Sequence, residues 1–278
     1  MMTSVKDKVR PIYYFILLIF KINWVKTVYI NFKTQPFNIA FKFPIIIYGK
    51  LKIYTLLGNI KISSPISMGM IHLGKEIDFF PVSLNPIKLT INSGSCIIFE
   101  GPAIIMGGCS ISVWNGEFKI GKYVTLGSGV QIKCEDKISI GSFTRVVAMS
   151  TITDTNFHFV KDIKTGIIKR SFAPISIGNN CWLNSGTIVT KGVVLPDYCI
   201  TAQNTFLNKD YSKICQPNTF LAGSPAKALA SNVQRIFDNE EEKRLKEFFY
   251  KNPDLNEYQV DVGIHQEPSY TPDLFKLY

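Results

Sequence analysis

The sequence predicts an all-β protein built as a parallel β-helix, and three observations support this fold. Aliphatic residues recur at every sixth position, small or turn-forming residues follow them, and 46% of the 278 residues are apolar, which suffices for one long core. A period of six matches neither an amphipathic helix nor an alternating strand. It matches a coil of three six-residue units, each with one aliphatic side chain pointing inward. A β-sandwich that shows this period by chance is the alternative.

Residues 1–85 are the first predicted unit, a basic, aromatic and partly helical segment. The whole chain carries 31 Lys+Arg and 21 Asp+Glu, a formal charge of +10, of which residues 1–60 contribute +8. This segment is predicted either to contact an anionic membrane surface through residues 1–52 or to cap the open end of the β-helix. Because the remainder of the chain carries only +2, a nucleic-acid partner is not expected.

The sequence favours a cytoplasmic location. Six cysteines are scattered without a CxxC pair, which is typical of reduced thiols. Residues 12–20 are apolar but lack a small-residue cleavage site, and no apolar run reaches 18 residues. We therefore expect neither a secretion signal nor a transmembrane helix. The expected protein is cytoplasmic, and peripheral at the inner face of the membrane if the first segment binds lipid.

Residues 86–227 are the predicted β-helix. Its inward positions are Phe99, Ile105, Ile111, Ile120, Leu126, Ile132, Ile140, Val146, Ile152, Ile177, Leu183, Val189, Leu195, Thr201 and Leu207. Glycine follows several of them, as at Gly121 and Gly141, and a residue without a Cβ lets the chain turn a corner. The step after Ile132 is longer than six residues, which predicts that Glu135 and Asp136 bulge outward at a corner.

A second break in the period predicts a functional loop over residues 153–174. The step from Ile152 to Ile177 exceeds one coil, and the intervening sequence is polar and charged. Long loops on rigid scaffolds commonly carry function. His158 lies in this loop, and an imidazole suits a general base at neutral pH. Asp154 and Asn156 are predicted to orient the imidazole or to hold an acceptor, with turn capping as the alternative for Asp154.

Residues 228–278 are predicted to form a C-terminal helix and an extended tail. Three acids followed by three basic residues, with an apolar stripe of Leu245, Phe248 and Phe249, predict a helix over residues 228–250. Such a stripe packs on the coil or on a neighbouring subunit.

Four stretches of the sequence carry a family resemblance. They are Asp154-Thr-Asn-Phe-His158, Ile175-Ser-Ile-Gly-Asn-Asn-Cys-Trp182-Leu, Ser185-Gly-Thr-Ile-Val-Thr-Lys-Gly192 and Ala222-Gly-Ser-Pro-Ala-Lys227. In them the chain resembles the hexapeptide-repeat acyltransferases, and most closely the bacterial capsule and exopolysaccharide sugar O-acetyltransferases. The resemblance implies a left-handed β-helix, a homotrimer, a sugar acceptor, and acetyl-CoA bound between neighbouring β-helices.

The resemblance also implies roles for individual residues. His158 is similar to the family's catalytic histidine, which takes the proton of a sugar hydroxyl, and no metal is required. The residues expected to contact acetyl-CoA are Trp182, Ser185, Gly186, Lys191, Ala202, Gly223, Pro225, Ala226 and Lys227. Corner packing is the alternative for Trp182, and plain solvation is the alternative for Lys191. The chain departs from the family pattern at Asn184 and at Thr201-Ala-Gln-Asn, which add bulk near the expected thioester arm.

The predicted function is an acetyl-CoA-dependent O-acetyltransferase that acts on a sugar hydroxyl in surface polysaccharide biosynthesis. Its alternatives are an N-acyltransferase of a nucleotide-linked amino sugar, an antibiotic acetyltransferase, and a catalytically inactive β-helix scaffold. A zinc-dependent carbonic anhydrase of β-helix fold is not expected, because His72, His158 and His265 lack the spacing of a three-histidine site.

Overall fold

Twenty-two short strands form three sheets in the computed structural model, which describes residues 20–77, 85–236, 238–260 and 275. Sheet I contains β1 (Ile45–Ile47), β4 (Ile71–Leu73), β7 (Ala103–Ile105), β10 (Val124–Leu126), β13 (Arg145–Val146), β16 (Trp182–Leu183), β19 (Ile200–Thr201), β21 (Thr219–Ala222) and β22 (Lys227–Ser231). Sheet II contains β2 (Leu51–Leu56), β5 (Ile87–Ile91), β8 (Ser110–Val113), β11 (Gln131–Cys134), β14 (Thr151–Thr153), β17 (Ile188–Val189) and β20 (Phe206–Leu207). Sheet III contains β3 (Asn59–Ile62), β6 (Cys96–Phe99), β9 (Glu117–Ile120), β12 (Lys137–Ile140), β15 (Ile175–Ile177) and β18 (Val194–Leu195).

The chain visits the three sheets in rotation, with one strand per sheet in each full coil. From β1 to β21, strands in a sheet pair in parallel with those of the adjacent coils, as in Ile132↔Ile152 and Ile138↔Ile175. The final pair, β21 with β22, is antiparallel. The predicted all-β parallel β-helix is therefore confirmed, and the β-sandwich alternative is wrong. The left hand of the coil stays an expectation of the family resemblance.

The predicted inward column forms the core. Every position of that column from Phe99 to Leu207 is buried, with at most 3% of the residue exposed. A second buried position lies two residues earlier in each unit of the C-terminal half, where Ile175, Cys181, Thr187, Val193, Cys199 and Thr205 stand. Each coil thus buries its inward side chains against the coils on either side, as stacked repeats do.

Corner glycines allow the coils to stack closely. A Cβ on Gly121 would lie 2.5 Å from the backbone N of Ser142, and one on Gly141 would lie 2.5 Å from the carbonyl C of Gly178. No side chain fits at that separation, so the residue after the inward position is glycine where coils cross this corner. The role predicted for these glycines is confirmed.

The β-helix begins at Ile45, earlier than the boundary predicted at residue 86. Strands β1 to β4 join the same three sheets as the later coils. Their period was hidden in the sequence because successive strands lie further apart than six residues, as at the long corner from Ile62 to Ile71.

Helix α1 (Trp24–Thr34) caps the first coil, and the short helix α2 (Phe37–Ala40) follows it. The Asn31 Nδ2 donates to the carbonyl oxygen of Ile45 at 2.7 Å, and the Ile45 N–H donates to Asn31 Oδ1 at 3.2 Å. The Ile47 N–H donates to Thr27 Oγ1 at 3.0 Å. These bonds satisfy backbone groups on the outer edge of β1, which would otherwise be open to another strand. Residues 1–19, with much of the predicted basic segment, lie outside the described residues.

The C-terminal region differs from the helix predicted over residues 228–250. Residues Lys227–Ser231 form β22, because they pair with the open edge of β21. Helix α3 covers Asn239–Lys251, and its start is set by the Asp238 carboxylate, which accepts from the N–H groups of Glu240 and Glu241. Most of the predicted tail, including His265, lies outside the described residues. Phe275 is described and packs with Ile104 and Met106.

Candidate active site

The long loop after β14 is a hairpin whose two arms are held together by backbone bridges. Its two arms meet in antiparallel bridges at Thr155↔Phe172 and Lys161↔Ile168. At its tip, the Asp162 carboxylate accepts from the N–H groups of Lys164 and Thr165. The hairpin connects β14 of sheet II to β15 of sheet III, so it projects from the edge between these sheets, called here the II/III edge. The predicted loop over residues 153–174 corresponds to it, since β14 ends at Thr153.

Asp154 holds the base of this hairpin. It is fully buried, and its two carboxylate oxygens accept from the N–H groups of Glu135 at 2.8 Å and Asp136 at 2.9 Å. Burial raises the pKa of this carboxyl, and the two backbone hydrogen bonds oppose that rise. Of the roles open for Asp154, the structure gives it the turn-capping one, at the corner where Glu135 and Asp136 were predicted to bulge. No hydrogen bond joins it to His158 among the described residues.

The Phe157 side chain anchors the hairpin next to His158. Its ring meets Trp114 edge-on at 5.3 Å between centroids, and its N–H donates to Thr155 Oγ1 at 3.0 Å. Phe157 has φ +62°, a left-handed conformation that a bulky side chain adopts at a cost. Because Phe157 points onto the coil in this conformation, the next residue, His158, is directed outward and is exposed.

A cavity of about 510 Å³ lies beside the hairpin, and its lining is mixed, with Val160 and Ile167 among polar residues. His158 and Asn156 line it together with Asp162, Lys169, Arg170, Ser171 and Lys191. Its volume lies within the range of small-molecule sites. The structure thus brings three sequence-predicted residues together: His158, Asn156 and Lys191. Lys191 also donates from Nζ to the carbonyl oxygen of Arg170 at 2.8 Å, which ties the second hairpin arm to the next coil.

The other predicted donor-contact residues stand at the edge between sheets I and II, called here the I/II edge. Ser185 and Gly186 turn the chain from β16 to β17, and Ala202 turns it from β19 to β20. Gly186 has φ +70°, a conformation that favours glycine, and a Cβ there would meet the Asn204 side chain, so a larger residue would force that side chain to move. Gly223 joins the same edge, because its carbonyl oxygen accepts from the Phe206 N–H at 3.0 Å.

The last predicted contacts follow Gly223 in the turn between β21 and β22. Pro225 lies in this turn, and the Ala226 N–H donates to the carbonyl oxygen of Phe206 at 2.8 Å. Ala226 is therefore buried under the last coil, whereas Lys227 begins β22 and is exposed. This turn continues the I/II edge at its C-terminal end.

Trp182 lies on sheet I, away from both edges. It pairs with Arg145 and Ile200 on the neighbouring strands, and the Arg235 guanidinium carbon lies 4.7 Å from its ring centroid. A cavity of about 730 Å³ between this ring and α3 is lined by Arg235, Lys246 and Tyr250 among others. The Trp182 Nε1 is buried and has no hydrogen-bond partner in the described part of the chain. The C-terminal segment therefore covers the Trp182 ring only in part. Arg235 lies on the ring, and the rest of the ring faces the cavity.

Within one chain, the predicted catalytic and donor-contact residues do not form one pocket. Strand β17 (Ile188–Val189) lies between Gly186 at the I/II edge and Lys191 at the II/III edge, so sheet II separates the two groups. His158 stands with Lys191 on one side, and Ser185, Gly186, Ala202 and Gly223 stand on the other. Trp182 belongs to neither group.

Three site residues were missed in the sequence. Trp114 supports Phe157, Arg170 lines the cavity beside His158, and Arg235 covers Trp182. Arg170 lay within the predicted loop and its charge was a usable signal. Trp114 and Arg235 lie far from their partners in the sequence, and no local pattern connects them.

No group of three or more His, Cys, Asp or Glu residues is placed to hold a metal ion within the described ranges. Of the helices in the described part of the chain, none is long and apolar enough to cross a membrane.

Three solved structures are similar to the chain. The polySia specific acetyltransferase NeuO matches with a TM-score of 0.43 and 16% identity, over 74% of this chain and 97% of NeuO. A variant of AntD, an N-acyltransferase from Bacillus cereus in complex with dTDP-4-amino-4,6-dideoxyglucose and coenzyme A, matches with a TM-score of 0.42 and 13% identity, over 73% and 88%. The polysialic acid O-acetyltransferase OatWY matches with a TM-score of 0.39 and 19% identity, over 71% and 95%. No protein-family model and no curated protein matches the chain.

Proposed function

We propose that the protein is an acyl-CoA-dependent O-acyltransferase that transfers an acetyl group to a sugar hydroxyl. The observation that carries the proposal is the placement of His158, exposed beside a cavity of mixed polar and apolar lining on a hairpin that the coil fixes at both ends. The acceptor class is a sugar of a surface polysaccharide or of its lipid-linked precursor, reached in the cytoplasm. The family resemblance supports the reaction type and the donor, and the geometry supports the base.

His158 is the proposed general base. Its imidazole takes the proton of the acceptor hydroxyl as the oxygen attacks the thioester carbonyl. The carbon–sulfur bond then breaks, the acyl group stays on the sugar oxygen, and the imidazolium returns its proton to the leaving thiolate. Asn156, beside His158 at the cavity, is proposed to hold the acceptor through its amide. Asp154 acts in this scheme through the hairpin base and not through substrate.

The donor is proposed to lie along the I/II edge, where small residues leave room for an extended arm. Gly186 presents no side chain there, and Ser185 and Ala202 present short ones. Lys227 is exposed beside the last turn and is a suitable point charge for a phosphate of the nucleotide end. Trp182 lies on the adjoining sheet with the Arg235 guanidinium directly on its ring, so a planar group of the donor would bind in the cavity beside this pair and not between its members.

Because sheet II separates the two groups in one chain, the complete site is proposed to form between chains. The I/II edge of one subunit meets the His158 hairpin of the next in a head-to-tail ring, for which a homotrimer is the expected size. The exposed apolar residues of the hairpin, among them Phe159 and Ile163, would be covered in such a ring.

The test of the chemistry is release of free CoA from acetyl-CoA with a panel of hydroxyl and amino-sugar acceptors. We expect His158→Ala to lower kcat by about 10²–10⁴-fold, because a positioned base contributes that much. Lys164→Ala at the hairpin tip is the matched control and should leave kcat unchanged. Unchanged CoA release by His158→Ala would refute the assigned base, and activity only on amino sugars would favour the N-acyltransferase alternative.

The test of the shared site is subunit complementation. Ala202→Trp blocks the I/II edge while His158→Ala removes the base, and each variant alone should be inactive. In trimers mixed at equal ratio, about a quarter of the interfaces combine an intact edge with an intact histidine, so about a quarter of the activity should return. No recovery in mixed, correctly folded trimers would show that each site lies within one chain.

A further inference from the structure

The outward face of the N-terminal cap is apolar and aromatic. It comprises Phe20, Val25, Val28, Tyr29 and Phe32 with Phe37 of α2 and Phe41 directly after it, and it is called here the cap surface. Val25 is 79% exposed and Phe37 is 71% exposed. Phe37 and Phe41 meet edge to face at 4.7 Å between ring centroids, so the aromatic rings form one patch. A contiguous apolar patch of this kind marks an interaction site.

The helix leaves these side chains no place in the core. Thr27, Ile30 and Asn31 occupy the buried face of α1, where they hold β1. At the angular spacing of a helix, Val25 and Phe32 stand on the opposite side, with Tyr29 beside them. The cap surface therefore faces away from the coil as a consequence of the same hydrogen bonds that close the end of the β-helix.

Lysines surround the cap surface, and acids are missing from its sequence. Lys21, Lys33 and Lys42 are exposed, and the Lys26 Nζ lies 5.9 Å from the Tyr29 ring centroid. No Asp or Glu occurs between Asp7 and Glu76 in the sequence. An apolar face bordered by lysines is the composition of helices that lie in the interface of an anionic bilayer.

We propose that the cap surface docks on an anionic lipid bilayer, with its aromatic side chains in the interface and its lysines at the headgroups. Charge decides between this occupant and a second copy of the chain. In a two-fold contact the same patch meets itself, so the lysines of both copies would face one another without an acid to pair with. A bilayer rich in anionic lipid supplies the opposite charge.

This docking would set the height of the hairpin above the bilayer. Sheet II leads from β2 in the first coil to β14 in four strand steps, and strands lie about 4.8 Å apart, which places the base of the His158 hairpin about 19 Å from the first coil. The inference does not rest on the proposed reaction, because lipid binding is measured without donor or acceptor.

The experiment is co-sedimentation of the full-length protein with vesicles of phosphatidylcholine alone or with added phosphatidylserine. We expect binding to the anionic vesicles and weak binding to the neutral ones, with a decrease at high salt. Lys33→Glu/Lys42→Glu should lower the partition coefficient by more than about tenfold, because each lysine at such a surface contributes about fivefold. Lys243→Glu/Lys251→Glu makes the same charge change on α3 and should leave binding unchanged.

A second pair of variants tests the apolar part. Phe37→Ser/Phe41→Ser should weaken binding to anionic vesicles, while Leu229→Ser/Leu255→Ser, exposed at the other end of the chain, should not. Thermal unfolding verifies that each variant is folded. Binding that survives both cap-surface pairs would overturn the proposal. Sedimentation velocity that shows a self-associated form dissociating in the Phe37→Ser/Phe41→Ser variant, without lipid binding by the unmodified protein, would overturn it in favour of a second copy.

Discussion

Thr201 is the polar member of an otherwise apolar inward column, and its hydroxyl forms two hydrogen bonds. The Asn184 N–H donates to Thr201 Oγ1 at 2.9 Å, and the Thr187 and Thr201 hydroxyls lie 2.8 Å apart. Asn184 and Thr201 are two of the positions where the chain departs from the family pattern. The structure accounts for the threonine, because its hydroxyl bonds to the Asn184 backbone and to the Thr187 hydroxyl, while the Asn184 side chain accepts from the Ser185 N–H at 2.9 Å.

Thr201→Val should therefore destabilise the protein although valine has the same shape. It leaves the half-buried Asn184 N–H without its acceptor and the buried Thr187 hydroxyl without its Thr201 partner, which together cost about 1–3 kcal/mol. Thr190→Val is the control, since the Thr190 hydroxyl donates to the Leu207 carbonyl oxygen at a half-buried corner. Denaturant unfolding measures both variants. An equal loss of unfolding free energy in Thr201→Val and Thr190→Val would show that the Thr201 hydrogen bonds contribute no more to stability than a hydrogen bond at a half-buried corner.

His72 is a buried histidine whose ring connects the coil to the C-terminal tail. Its Nε2 and the carbonyl oxygen of Phe275 lie 3.1 Å apart, which fits a neutral ring that donates from Nε2. Burial lowers the pKa of His72 to about 4, and the charge of Lys75 adds to this, while the bond to Phe275 opposes it. The imidazole is therefore neutral in the folded protein at neutral pH.

The lowered pKa predicts acid sensitivity. The unfolded chain binds a proton at His72 below pH 6.5 and the folded chain only below about 4, so stability falls as the pH falls through that window. The full loss is about 3 kcal/mol. His72→Gln keeps an N–H for Phe275 and should flatten the unfolding free energy between pH 6.5 and 4. An identical pH profile in both proteins would contradict the assigned neutral ring.

At the residue scale, the inward column and the corner glycines were predictable, because each follows from the period alone. The hydrogen-bond partners of Asp154 were not. Glu135 and Asp136 lie a full coil away in sequence, and the position of that coil depends on the register of β11 and β14. The sequence named both the corner and the carboxylate, but only the stacked coils connect them.

Among the elements, α1 has the clearest structural task. Asn31 satisfies both backbone groups of Ile45, and Gln35 adds a bond from Nε2 to the Ile60 carbonyl oxygen at 2.9 Å. The sequence left capping and membrane contact as alternatives for this segment. Capping uses the buried face of α1 and the proposed bilayer contact would use the opposite face, so the first does not exclude the second.

Asn31→Ala should lower the unfolding free energy by about 1–3 kcal/mol, because two buried backbone groups lose their partners. Asn38→Ala on α2 is the matched control, since Asn38 is exposed. Calorimetry of both variants tests the prediction. We also expect Asn31→Ala to aggregate more readily, because an uncapped strand edge is a template for pairing. If Asn31→Ala is as stable as Asn38→Ala, the hydrogen bonds from α1 do not stabilise the end of the β-helix.

The hairpin shows where prediction of elements ends. The break in the six-residue period predicted the position of the hairpin. His158 was predicted as a functional residue because it lies in that loop. Its arms were not predicted, because bridges such as Lys161↔Ile168 join residues without strand-like alternation. The C-terminal helix was predicted too long for a related reason, since β21 offers residues 227–231 a partner that sequence propensity does not include.

At the scale of the whole molecule, each coil interacts with its neighbours and not with distant coils. This predicts a definite pattern of coupling between core substitutions. Ile132 and Ile152 are paired on adjacent strands, so Ile132→Val and Ile152→Val should be non-additive in stability, by about 0.5 kcal/mol or more. Ile132→Val and Leu207→Ala lie three strand steps apart and should add within about 0.5 kcal/mol. Double-mutant cycles by denaturant unfolding test this, and strong coupling of the distant pair would contradict it.

The coils between the α1 cap and the His158 hairpin are stacked at a constant strand spacing, and this spacing limits where His158 can stand. Any gain or loss of one whole coil before β14 would move His158 by one strand spacing, about 4.8 Å, and leave the hairpin base intact. A gain or loss of a single strand would instead rotate the hairpin to another sheet. As long as His158 stays on the same edge, its distance from the N-terminal cap can therefore change only by whole coils. The number of coils sets that distance.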